Sequence, residues 1–69
     1  MDRILVFNVK GMTCDHCVHS VTEAAQGVAG VRNVKVELAA GTARVEGDFD
    51  ESKIIEAIKE EGYEAAVGA

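Results

Sequence analysis

Sixty-nine residues with seven Lys/Arg against twelve Asp/Glu, a formal charge of −5 and neither Trp nor Pro describe one small domain, residues 1–69, whose core is thin for its surface. A protein that held nucleic acid by its phosphates needs the opposite sign and a basic stripe, and this chain has neither. No apolar run approaches the roughly 20 residues of a membrane span, and Ile4 to Phe7 is too short for a signal-peptide core, so a cytoplasmic chain without membrane insertion is expected.

Leu5, Phe7 and Val9 alternate with Val6, Asn8 and Lys10, which predicts a first strand with one apolar face. From Asp15 the period lengthens: Val18, Val21, Ala25 and Val28 form one stripe of a helix that Gly27 or Gly30 ends. Val34, Val36 and Leu38 then alternate with Lys35 and Glu37, Ala39-Ala40-Gly41 turns the chain, and Ala43 and Val45 alternate with Arg44 and Glu46, which makes a β-hairpin. Asp48 or Asp50 caps a second helix whose buried stripe is Ile54, Ile55 and Ile58, and Gly62 is placed to stop it in the left-handed conformation. A short strand over Tyr63 to Val67 completes the order βαββαβ. Right-handed crossovers fold that order most simply into the α+β, ferredoxin-like arrangement, a four-stranded antiparallel sheet with both helices on one face. Such a fold exposes the loop from the first strand into the first helix at one end of the sheet and brings the loop after the second helix close to it.

That first loop holds the chemistry. Both cysteines, both histidines and one of the two methionines lie within residues 10–21, Lys-Gly-Met-Thr-Cys-Asp-His-Cys-Val-His-Ser-Val. Cysteines three apart cannot staple distant parts of a fold, so they serve reactivity or metal. With Cys14 in the loop and Cys17 in the first helical turn, both sulfurs can face one point, beside free backbone N–H groups that favour thiolate over thiol. Two thiolates with no nearby third donor suit Cu(I), which accepts low coordination, whereas zinc wants four ligands. His19 falls roughly 200° around the helix from Cys17 and points away. His16 reads as a solvated first-turn residue that tunes the thiolates or shares in a dimer.

Around these, Gly11 supplies a backbone conformation or a close approach, Met12 packs on the core in preference to serving as a sulfur ligand, and Thr13 caps the helix. Tyr63 either shields the sulfurs or simply packs its ring with a wet hydroxyl. Two buried hydrophobes are a poor account of the cysteines, since a loop ahead of a helix is not a core position. A dithiol oxidoreductase is the serious rival, although the chain is short for a thioredoxin fold and lacks a Trp beside the motif.

Gly11-Met12-Thr13-Cys14-Asp15-His16-Cys17, together with Gly30-Val31, Ala57-Ile58 and Gly62-Tyr63, resembles the heavy-metal-associated domain family, and within it the bacterial CopZ-type copper chaperones, over nearly the whole chain. The resemblance implies the ferredoxin-like fold, Cu(I) bound by Cys14 and Cys17, and transfer by ligand exchange to the metal-binding domain of a copper-transporting P-type ATPase, with no catalytic residue. His16 and Tyr63 match bacterial copper chaperones. Zinc- or cadmium-handling members often carry Asp where this chain has Thr13, which favours copper. Mercury-binding relatives share the motif and are periplasmic. Alternative readings are an excised ATPase domain with the same metal, or the dithiol oxidoreductase; a copper-bridged homodimer through His16 and the two cysteines is a further expectation.

Overall fold

The computed structural model describes residues 2–68. The elements in chain order are β1 (Arg3–Lys10), α1 (Asp15–Gln26), β2 (Val31–Glu37), β3 (Thr42–Gly47), α2 (Glu51–Glu60) and β4 (Glu64–Val67). The strands form one antiparallel sheet in the order β2-β3-β1-β4, the predicted ferredoxin-like topology. Period-two alternation sends Phe7 and Val9 of β1 and Ala43 and Val45 of β3 to one face, where they are buried, while Ile4, Asn8, Lys10 and Arg44 are exposed on the other. The helices cover the apolar face: α1 packs against β2 and β3, α2 against β4, and the two helices against each other. Val21 and Ala25 of α1 and Ile54 and Ile58 of α2 complete the buried core.

The predicted stripes thus meet at Val21, Ala25, Ile54 and Ile58, whereas Ile55, expected in the buried stripe, is only partly buried, and Val28 lies beyond the end of α1. Leu38 lies in the turn and not in β2; its carbonyl accepts a hydrogen bond from the Gly41 N–H at 3.1 Å. Gly27 ends α1 in the right-handed conformation. Gly30 has a different duty, because its φ is +90° and a Cβ there would lie 1.8 Å from the Asp48 carbonyl oxygen. Asp50 is the cap of α2, its Oδ1 accepting from the Ser52 N–H at 3.0 Å.

Phe49, which no periodic pattern marks, is buried between β3 and α2. Its ring centroid lies 6.4 Å from that of Phe7, and the Arg3 guanidinium sits 5.1 Å above it while donating to the Phe49 carbonyl at 2.7 Å. One long side chain therefore ties the start of β1 to the connection that launches α2. At its edges the sheet is short or irregular: β4 has four residues, and the register of β2 slips between Val31 and Asn33 in a bulge.

Candidate metal centre

The chain leaves β1 at Lys10 and turns on Gly11, whose φ is +103°. It then extends through Cys14 (φ −159°, ψ 174°), the residue that starts α1; the Cys14 carbonyl accepts the first helical bonds, from the N–H of Cys17 at 3.0 Å and of Val18 at 3.2 Å. One turn of helix therefore folds Cys17 back over Cys14, and the two Sγ atoms stand 3.9 Å apart. Cys14 is exposed and Cys17 half-buried, both as free cysteines.

Thr13 does not cap the helix as its position suggested, and no side chain does. With Cys14 at the capping position, Thr13 lies one residue outside it, where its hydroxyl no longer meets the amides of the first turn. That hydroxyl instead sits 3.8 Å from Cys17 Sγ.

Tyr63 arrives from the other end of the chain. At the end of α2 the Gly62 N–H donates to the Lys59 carbonyl at 2.9 Å and the Tyr63 N–H to the Ile58 carbonyl at 3.4 Å, the paired bonds of a Schellman motif, with Gly62 at φ +96° as expected. This closure aims Tyr63 back at the first loop. Its ring packs partly buried against the core, which leaves its hydroxyl near enough to influence Cys17.

The consequence is electrostatic. The Tyr63 hydroxyl, then the Thr13 backbone N–H and hydroxyl, lower the Cys17 pKa to about 6, against a smaller opposing effect of burial, so Cys17 is largely thiolate at neutral pH. Tyr63 is pushed the other way, its pKa raised because the proton it donates is held against Cys17. Sequence reasoning left the tyrosine undecided between shield and plain packing, and missed the Thr13 N–H altogether; the free amides of a helix N-terminus were the only available signal for it.

The remaining residues of the motif are placed more simply. Met12 is partly buried against the core. His16 is exposed on the first turn, where its carbonyl accepts from Ser20 Oγ at 3.2 Å. His19 faces elsewhere, with Nε2 3.2 Å from Glu23 Oε1. Among the described residues no three His, Cys, Asp or Glu side chains come together as a metal cluster, so one copy of the chain does not build a four-ligand zinc site there. A groove of about 500 Å³ beside β4 and α2, lined by Asn8, Lys10, Ile55, Lys59, Glu64 and Ala65, includes neither sulfur. The chemistry sits on a protruding loop. Two soft donors, one already ionised, with open space around Cys14 can hold a soft ion and still leave it open to an incoming ligand.

Comparison with known proteins agrees in kind. The model of the heavy-metal-associated domain matches residues 6–64. The copper chaperone CopZ of Enterococcus hirae is 44% identical over 64 residues, covering 88% of this chain and 93% of that protein. Among solved structures, the copper binding domain of the P-type ATPase HMA7 superposes with a TM-score of 0.93 at 37% identity, over 97% of this chain and 95% of the other. Oxidized MerP from Ralstonia metallidurans superposes with a TM-score of 0.95 at 29% identity, over the full length of both.

Proposed function

Because the chain belongs to the heavy-metal-associated domain family, we propose that it is a copper chaperone: acting in the cytoplasm, it carries one Cu(I) between Cys14 and Cys17 and passes it to the metal-binding domain of a copper-transporting P-type ATPase. Residues 1–69 act as one domain in this role, with no enzymatic step. The observation that carries the reading is the pair of sulfurs 3.9 Å apart on an exposed loop. Taking a metal–thiolate bond of about 2.3 Å as a guide, a linear S–metal–S unit spans about 4.6 Å, so the sulfurs need to part by only about 0.7 Å. Likeness to a protein named as a copper chaperone supports copper among the soft ions.

Transfer proceeds by exchange of thiolates on the ion. An incoming thiolate adds to the metal on the open side at Cys14, giving three sulfurs on one copper; one original sulfur then leaves as its thiolate, and no electron or proton need move. Cys17 is the better leaving ligand, since Tyr63 and Thr13 stabilise its free thiolate and thiolates of lower pKa depart more readily. Similarity to an ATPase's copper binding domain supports a partner that presents a matching pair of thiolates.

That same similarity favours a second reading, in which the chain is itself the metal-binding segment of an ATPase. It uses the same two sulfurs, and the reading frame from which the chain is translated separates the two. The direct test of the metal step is an anaerobic titration of the reduced protein with Cu(I) against a chelator of known affinity, with Zn(II) in parallel. One Cu(I) bound per chain, far more tightly than Zn(II), is the expected result. Weak Cu(I) binding together with a readily cycled disulfide would replace the chaperone with a dithiol oxidoreductase.

A further inference from the structure

Leu38, Ala39, Ala40 and Gly41 carry the chain from β2 to β3 without a polar side chain, whereas turns ordinarily draw on Asn, Asp and Ser. The turn itself does not require this. The Gly41 N–H donates to the Leu38 carbonyl at 3.1 Å, Gly41 stands at φ +66°, and Ala39 and Ala40 both keep negative φ. Together these make a type I turn closed by a left-handed glycine, whose central positions accept polar residues as readily as alanine. Nor does the core require it. Ala39 and Ala40 are exposed, and among the described residues Leu38 is half-buried without joining the apolar side chains that pack on the buried cluster.

What distinguishes the tip is its place. The Val9 N–H donates to the Gly41 carbonyl at 2.7 Å, which pins the turn beside the last residues of β1, at the end of the sheet where the cysteine loop begins. The strand order β2-β3-β1-β4 sets the tip on one side of that loop and Tyr63, just ahead of β4, on the other. A thiolate that takes the ion from Cys14 must come within a metal–sulfur bond of it, about 2.3 Å. The domain bearing that thiolate therefore lies against this end of the molecule. Even a transient encounter buries up to about 600 Å² per partner, a patch of about 14 Å radius, so the contact extends beyond the cysteines to the turns that flank them.

We propose that the hairpin tip, Leu38 to Ala40, is an apolar docking surface for the domain that receives the ion, which meets it with an uncharged, apolar patch of its own. This deepens the chaperone reading and rests on it. Because the tip carries no charge, its share of the binding is insensitive to salt.

The experiment follows the amide shifts of the 15N-labelled, Cu(I)-loaded chain as it is titrated anaerobically with the unlabelled, metal-free copper binding domain of the ATPase HMA7, an acceptor of the same fold. Shifts are read against both the loaded and the metal-free chain alone, so that loss of the ion is not mistaken for contact. The amides of Ala39, Ala40 and Gly41 are expected to move together with those of residues 13–17. Those of residues 27–29 stay in place, since they precede the opposite end of the sheet, where Val31 and Arg3 both pair with Gly47. Ala40→Asp suits the turn but brings an unpaired carboxylate into the contact, and should weaken the complex about tenfold while leaving the Cu(I) affinity and the far-ultraviolet spectrum of the chain unchanged. Tip amides that stay still, or an Ala40→Asp chain that binds the acceptor as well as its parent does, overturn the docking surface and leave the metal site standing. A chelator titration in which the parent fails to bind Cu(I) tightly would sink the chaperone reading and the docking surface with it.

Discussion

Cys17 owes its ionisation to neighbours that a single turn of helix and one distant tyrosine supply. Since its folded pKa is depressed to about 6, below the value of an unfolded cysteine, the ionised sulfur stabilises the native state above the unfolded pKa. That contribution falls away as pH drops through the folded pKa. Thiolate absorbance of the metal-free protein should accordingly titrate with one midpoint near 6, and Tyr63→Phe should move that midpoint upward. A midpoint indifferent to the hydroxyl would show that the Thr13 donors suffice. For metal binding, Cys14→Ser and Cys17→Ser are each expected to lower Cu(I) affinity by several orders of magnitude, because two ligands leave no reserve; chelator competition measures it, and tight binding in either variant refutes the two-thiolate site. His16→Ala should leave binding by the monomer intact and alter only copper-dependent self-association, as seen by analytical ultracentrifugation.

At the scale of elements, the connections hold more tension than the strands and helices. Asp50→Ala removes a cap bond and should cost about 1 kcal/mol in denaturant unfolding. Gly30→Ala should cost more than that, because its Cβ would collide with backbone and not with a yielding side chain. The hairpin carries a conflict of its own: Lys35 of β2 stands directly opposite Arg44 of β3, two cations on the open face. Lys35→Glu converts repulsion to attraction and should raise stability by roughly 0.2–1 kcal/mol; an unchanged unfolding midpoint would show that solvent screens the pair. Much of this level was legible in advance, since alternation along Leu5–Val9 and Ala43–Val45 and the stripe Val21–Ala25 follow directly from the period of each element. Gly62 too could be read from its place after Ile58. What escaped was non-periodic: Phe49 stands alone between two aspartates, and the role of Gly30 depends on the Asp48 carbonyl, which is distant in sequence.

For the whole molecule, the division is between a core that makes the fold and a loop that makes the site. Phe7, Ile54 and Ile58 are fully buried, and Ile54→Ala should cost about 2–5 kcal/mol, a large share of the stability available to so small a domain. The cysteines lie outside that core, so their serine variants should keep the far-ultraviolet spectrum and unfolding midpoint of the parent. The site was only partly legible for the same reason. Local spacing announces two sulfurs at one helix end, whereas the group that most perturbs Cys17, Tyr63, is brought near only by the fold, in which β4 pairs with β1. Four residues of β4 and the kink in β2 leave the sheet without a long, straight border on which another chain could template itself. In the proposed exchange, two molecules meeting loop to loop over a shared ion would have only short or bulged strand edges to pair along, so their encounter would end when the last shared sulfur lets go.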